Sequence, residues 1–240
     1  MQVCNLFRDP FRHFVRALSR LFFCASCAFC ASLWLTSTAS AQAILDQTDN
    51  QQWTDVQLAI PVTKDVDFNL LGSLRIGRDI THAVDERVGA GFTWRFGKYV
   101  SVAPHYLNIG MQPFEGRRVW ENRLVLPVQL QWKLGKFTFR DRNQFERRIR
   151  NSGIKTNRYR NRLLVEHPIG PDKLGLSFTI GDEVFYDWAV DRWVRNRFAV
   201  GITKVFNKHF TQDIFYLRQN DGVSVPGDLN VIGTSLRFKL

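Results

Sequence analysis

The chain has 240 residues and a net charge of +11, from 33 Lys and Arg against 22 Asp and Glu, with 4 Cys. Those cysteines, Cys4, Cys24, Cys27 and Cys30, all fall in the first 30 positions, which excludes a disulfide framework, a thiol nucleophile or a cysteine metal site in the rest. No segment after Leu35 has the roughly 18 consecutive apolar residues of a membrane helix, so any membrane-spanning reading requires a closed barrel of strands.

Basic residues Arg8, Arg12, Arg16 and Arg20 lead into the apolar run Leu21 to Leu35. Small residues Ala39-Ser40-Ala41 follow, the pattern of a cleaved secretory signal peptide. The run is short for a spanning helix, which needs about 20 residues. No cysteine has the flanking pattern of a lipoprotein signal. The expected division is a Sec signal peptide at 1–41 and one β domain at 42–240. Removing Arg8, Arg12, Arg16, Arg20 and Asp9 brings the net charge to +8. For an exported chain that surplus points to anionic lipid or lipopolysaccharide rather than nucleic acid.

From Trp53 the hydrophobic period is two. Val56, Leu58, Ile60 and Val62 alternate with polar or small residues, and Val66, Phe68, Leu70, Leu74 and Ile76 oppose Asp67, Asn69, Ser73 and Arg75. Next, Val88, Ala90, Phe92, Trp94 and Phe96 oppose Arg87, Thr93 and Arg95; Tyr99 to Ile109 is extended but interrupted by Pro104. Trp120, Leu124, Leu126, Val128, Leu130 and Trp132 share a face opposite Glu121, Arg123, Gln129 and Gln131. Two strands then carry charge on one parity: Arg140, Arg142, Gln144, Glu146, Arg148 and Arg150, followed by Arg158, Arg160, Arg162, Leu164 and Glu166. Beyond them, Leu174, Leu176, Phe178 and Ile180 oppose Ser177, Thr179 and Glu183, and Val194, Phe198, Val200 and Ile202 oppose Arg195, Arg197 and Thr203. Thr211 to Gln219 and Asn230 to Leu240 complete the series.

Alternation alone fits a soluble sandwich or a membrane barrel. Apolar stripes of about 10 residues, charge on the opposite stripes, and longer links alternating with tight ones favour an antiparallel up-and-down transmembrane β-barrel of 10–12 strands. The longer links are expected at Ile80 to Asp85, Gln112 to Arg117, Asn151 to Thr156, Asp187 to Asp191 and Asn220 to Gly227. The tight ones are expected at Lys64-Asp65, Gly97-Lys98, Leu134 to Lys136, Pro168 to Lys173 and Asn207-Lys208. Eleven strands are readable, whereas single-chain bacterial barrels have an even number; either the run Trp53 to Val62 lies outside a ten-stranded wall or another strand makes twelve. The terminal strand Leu236 to Leu240 resembles the signal by which outer-membrane assembly machinery takes up its substrates, with Leu240 where phenylalanine is usual.

The inward stripe is expected to hold Arg75, Arg87, Arg95, Glu121, Arg123, Arg140, Arg142, Glu146, Arg148, Arg158, Arg160, Arg162, Glu166, Glu183, Arg195, Arg197 and Asp213. Two functions follow: an ion-pair network that rigidifies the lumen, or an anion pathway, since arginine outnumbers carboxylate. Rim residues Arg147, Arg148, Arg150 and Lys155 are candidates for lipopolysaccharide phosphates. On the outward parity, Asn122, Asp141, Asn143, Asn161, Asp182 and Asn196 are polar at positions expected to face lipid, which predicts contact with a partner or another copy of the chain. The four later histidines, His82, His105, His167 and His209, belong to no catalytic motif and have no metal-ligand spacing. No cofactor, metal site or catalytic residue is therefore assigned; the alternative function is a barrel enzyme acting on lipid or lipopolysaccharide.

Arg140-x-Arg142, Glu146, Tyr159-Arg160-Asn161-Arg162, Glu166, Asp182-Glu183 and Asn196-Arg197 resemble the domain-of-unknown-function 2490 family of bacterial outer-membrane proteins. The resemblance covers Trp53 to Leu240 and is densest from Phe137 to Gly201. It implies a barrel in the outer membrane of a Gram-negative bacterium, and no particular substrate.

Overall fold

A computed structural model describes residues 48–240. The signal peptide expected at 1–41, with its cysteines, lies outside the described residues. The alternating runs form β1 (Thr48–Pro61), β2 (Val66–Gly77), β3 (His82–Phe96), β4 (Val100–Val102), β5 (His105–Phe114) and β6 (Arg117–Leu134). They continue as β7 (Phe137–Arg150), β8 (Lys155–Pro168), β9 (Leu176–Asp187), β10 (Arg192–Val205), β11 (Phe210–Asp221) and β12 (Asp228–Lys239). Ala103 and Pro104 separate β4 from β5, and both halves pair with β3 and β6. Pro104 has no N–H to give the ladder, so one wall strand is read as two.

With β4 and β5 counted together, the twelve segments make eleven wall strands, and the pairing of β2 with both β1 and β3 closes the sheet. The count corrects both expected even numbers. Antiparallel neighbours reverse direction at each step, so an odd number leaves the first and last strands running the same way. β1 and β12 accordingly pair in parallel, from Thr48↔Asp228 to Ala59↔Lys239. The expected purely antiparallel, up-and-down wall is thus corrected to a mixed one with a single parallel seam, and Trp53 to Val62 belongs to it through Pro61.

The expected rhythm of connections is corrected at two links. Gln112 to Arg117 is a hairpin tip whose turn is Glu115-Gly116, with Gly116 at φ 75°. The link expected to be tight at Pro168 to Lys173 runs from Ile169 to Gly175 and includes a short 3-10 turn, Asp172–Leu174. The rim carrying the β2–β3, β5–β6, β7–β8, β9–β10 and β11–β12 turns is called the upper rim below. The lower rim carries Leu240.

The two parities separate as the sequence predicts. Glu121 is 0% exposed and Arg123 3%, whereas the adjacent outward Leu124 is 55% exposed. In an ordinary core these values would be exchanged. Val194, expected outward, is buried: a bulge between Trp193 and Arg195 inserts one residue, so that Trp193 faces out and Arg195 in.

Candidate functional site

Neighbouring strands bring the inward charges into one lattice. The ladder partners Glu146 and Arg158 adjoin across β7 and β8, and Arg162 and Glu183 across β8 and β9. Three carboxylates act as nodes. Glu121 accepts from Arg123 Nε at 2.7 Å, Arg148 Nε at 3.0 Å and Arg150 Nε at 3.3 Å. Glu146 accepts from Arg158 Nε at 2.8 Å, Arg160 at 2.9 Å and Gln144 Nε2 at 2.7 Å, and Arg123 lies 3.5 Å away. Glu183 accepts from Arg142 and Arg160, each at 2.8 Å, with Arg197 3.9 Å away. Arg123 therefore joins the first node to the second, and Arg160 joins the second to the third. A planar fork with several N–H groups can bridge two carboxylates in this way, where an ammonium offers only a compact point charge.

Further inward pairs extend the lattice: Arg148 to Asp187 at 3.5 Å, Arg87 to Asp85 at 2.5 Å, and Arg195 to Asp221. Arg140 and Glu166 form their own pair at 2.6 Å nearer the lower rim, where Arg140 also donates to Gln131. Arg162 stands apart. Among the described residues it makes no ion pair and no side-chain hydrogen bond, although it sits beside Glu183 and Arg142 in the ladder. Among the described residues Arg75 has no carboxylate within ion-pair distance either, and its Nε and the neighbouring Ser73 hydroxyl are buried with no partner there.

Two inward aromatic rings, which the sequence reading does not single out, organise these cations. Phe185 is 0% exposed, and the guanidinium carbons of Arg160, Arg197, Arg158 and Arg195 lie 4.6, 4.8, 5.3 and 5.3 Å from its centroid. Trp53 carries Arg75 at 3.8 Å and Arg197 at 4.9 Å. An aromatic face attracts desolvated guanidinium groups and spaces them without supplying a counter-charge. The available signal is parity: Phe185 falls between Glu183 and Asp187, and Trp53 between Gln51 and Asp55, on otherwise polar stripes.

Of the expected rim set, Arg148 and Arg150 point inward onto Glu121, while Arg147 and Lys155 lie on the outer side of the wall. The outward polar residues bond among themselves: Asn161 donates to Asp141 at 2.7 Å and to Asn143 at 3.2 Å, Tyr159 donates to Asn143, and Asn196 donates to Asp182 at 2.8 Å. The histidines are dispersed. His105 contacts the Ala103 carbonyl, His209 the Lys239 carbonyl, His82 the Thr81 hydroxyl, and His167 the Phe137 ring. Among the described residues no group of three or more His, Cys, Asp or Glu is arranged to hold a metal ion.

Among solved structures, the chain is similar to the anion-selective porin from Comamonas acidovorans at 13% identity, over 73% of this chain and 54% of that one, with a TM-score of 0.37. It is similar to OccK8 (OprE) of Pseudomonas aeruginosa at 11% identity, over 70% and 56% of the two chains, with a TM-score of 0.37. The NanC porin matches at 14% identity over 77% of this chain and 93% of that one, with a TM-score of 0.42. The chain thus spans about half the length of the first two structures. No curated protein matches the sequence. Residues 50–229 match the family described as "Protein of unknown function (DUF2490)", and the chain belongs to that family.

Proposed function

We propose that the chain is an integral outer-membrane barrel of a Gram-negative bacterium, exported by its Sec signal and inserted through its C-terminal strand, whose lumen is a narrow passage for small anions. The outward stripes suit lipid, and a closed ladder leaves no unpaired edge for lipid to meet. The arginine–glutamate lattice forms the constriction. A porous wall of fixed charges selects by sign, and rings of Arg or Lys favour anions.

The observation that carries this reading is the imbalance within the lattice. Glu121, Glu146 and Glu183 are each shared by several guanidinium groups, whereas among the described residues Arg75 and Arg162 have no carboxylate within ion-pair distance. Unmatched cations facing the lumen attract anions and exclude cations, while the paired ones hold the wall rigid. Planar-bilayer recording across a KCl gradient tests this: small single-channel currents with a reversal potential displaced toward chloride are expected, and Arg75→Gln with Arg162→Gln reduces that displacement. Reconstituted protein that passes no current would leave a sealed, structural barrel and end the passage reading.

A further inference from the structure

A groove of about 850 Å³ crosses the outer face of β3, β5, β6 and β7. Its origin is a single row of the ladder. Gly91, His105, Val125, Glu146 and Arg158 pair in sequence from β3 to β8. Each except glycine sends its side chain inward, which leaves bare backbone outside between two flanking rows. Phe92, Tyr106, Leu124, Leu126 and Phe145 wall the groove, all about half exposed, and Trp188 closes one end with Arg147 and Asn157. The volume lies within the roughly 300–1,000 Å³ usual for ligand pockets.

Chemistry changes abruptly at that end. Arg147 donates to Asn157 at 2.9 Å. One outward step nearer the upper rim, Lys155 is exposed opposite Ile149. On β6, Arg118 lies 5.9 Å from the Trp120 ring. Among the described residues none of these three cations has a carboxylate within ion-pair distance; the outward acids on the groove's strands include Glu86 on β3, opposite Gly110, and Asp141 on β7, which accepts from Asn161. Trp188 stacks 6.5 Å from Phe145 and meets Tyr186 edge-on at 5.5 Å, giving a broad aromatic face beside the cations.

We infer that this groove is a lipopolysaccharide site: an acyl chain of lipid A lies along Phe92, Leu124, Leu126 and Phe145, a sugar phosphate meets Arg147 and Lys155, and the sugar ring rests on Trp188. Three unmatched cations exceed what one phosphodiester head needs, and the amphipathic indole face suits the apolar side of a sugar. The inference rests on the outer-membrane reading above and deepens it, because it places the upper rim on the cell surface.

Native mass spectrometry of the refolded full chain tests it, with lipid A, dephosphorylated lipid A and phosphatidylglycerol as separate probes. One lipid A per barrel is expected. The double variant Arg147→Glu with Lys155→Glu should weaken binding about tenfold, and Leu124→Trp, which fills the groove, should weaken it comparably. Equal retention of phosphatidylglycerol, or of dephosphorylated lipid A, overturns the site, as does unchanged lipid A binding in the double variant. Bilayer insertion and conductance of the same samples separate the two failures: lost lipid A binding with intact insertion refutes the site alone, and lost insertion refutes the outer-membrane reading.

Discussion

The inner wall has two unlike halves. From β6 to β10 it is a lattice of guanidinium and carboxylate groups, whereas around the parallel seam Trp53, Leu217, Leu229 and Val231 form an apolar cluster with Ala199 and Phe215 packed on it. Ion pairs out of water repay their desolvation only where the forks find partners, and the antiparallel register of β6 to β9 brings Glu121, Glu146 and Glu183 within reach of several guanidinium groups each, with Arg162 the exception. At the seam two strands run parallel, a pairing slightly weaker per residue. There the interior is backed by contacts that do not depend on direction. Trp53 belongs to both halves, since it packs in the cluster and carries Arg75 and Arg197 on its ring.

The most severe test of the charged half is Glu146→Ala. It leaves Arg158, Arg160 and Arg123 facing one another, and breaking a buried pair by removing one partner costs about 3–5 kcal/mol. Urea unfolding in micelles, followed by tryptophan fluorescence, should show that loss, and Glu146→Gln should recover little of it because the charge is still missing. In the apolar half the counterpart is Gly233→Ala. A Cβ there would lie 2.1 Å from the Phe215 ring, and overpacking of this kind costs about 1–3 kcal/mol. Adding Phe215→Leu should restore most of the stability; a double variant no better than the single one would show that the seam is not packed as described.

Two weaker effects sharpen the contrast. Ile80 adopts φ 63°, in the turn where Arg78 and Asp79 are also left-handed, and lies in neither half. A β-branched residue there is strained by about 1–2 kcal/mol, so Ile80→Gly should raise the unfolding free energy by up to that amount. Arg162→Gln lies inside the charged half yet should change stability by less than about 0.5 kcal/mol, or raise it, because no partner is stranded. A large loss from this variant would show that position in the lattice matters more than pairing.

Much of the wall was legible from period two alone. Arg140 to Arg150 and Arg158 to Glu166 place their charges on one face because a strand cannot do otherwise. The closure was not legible, because which strand meets which is a non-local fact: nothing in Thr48 to Pro61 announces a parallel partner. Phe185 and Trp53 do not stand out in the sequence, since a lone apolar residue on a polar stripe reads as an interruption of the pattern, when it is the ring on which the arginines stack. Sequence alone fits Arg148 to the lumen and to the rim; its register opposite Arg123 and Thr156 puts it inside. Val194 lies inward against its parity because a bulge shifts the register by one residue without altering composition.

The parallel seam also sets the first and last residues of the wall at opposite rims. Thr48 starts beside Asp228 at the upper rim, while Lys239 and Leu240 finish beside Ala59 at the opposite one. In the outer-membrane placement proposed above, an epitope joined ahead of Thr48 and another joined behind Leu240 would be read from opposite sides of the same bilayer, so antibody labelling of whole cells should detect one and miss the other until the envelope is opened.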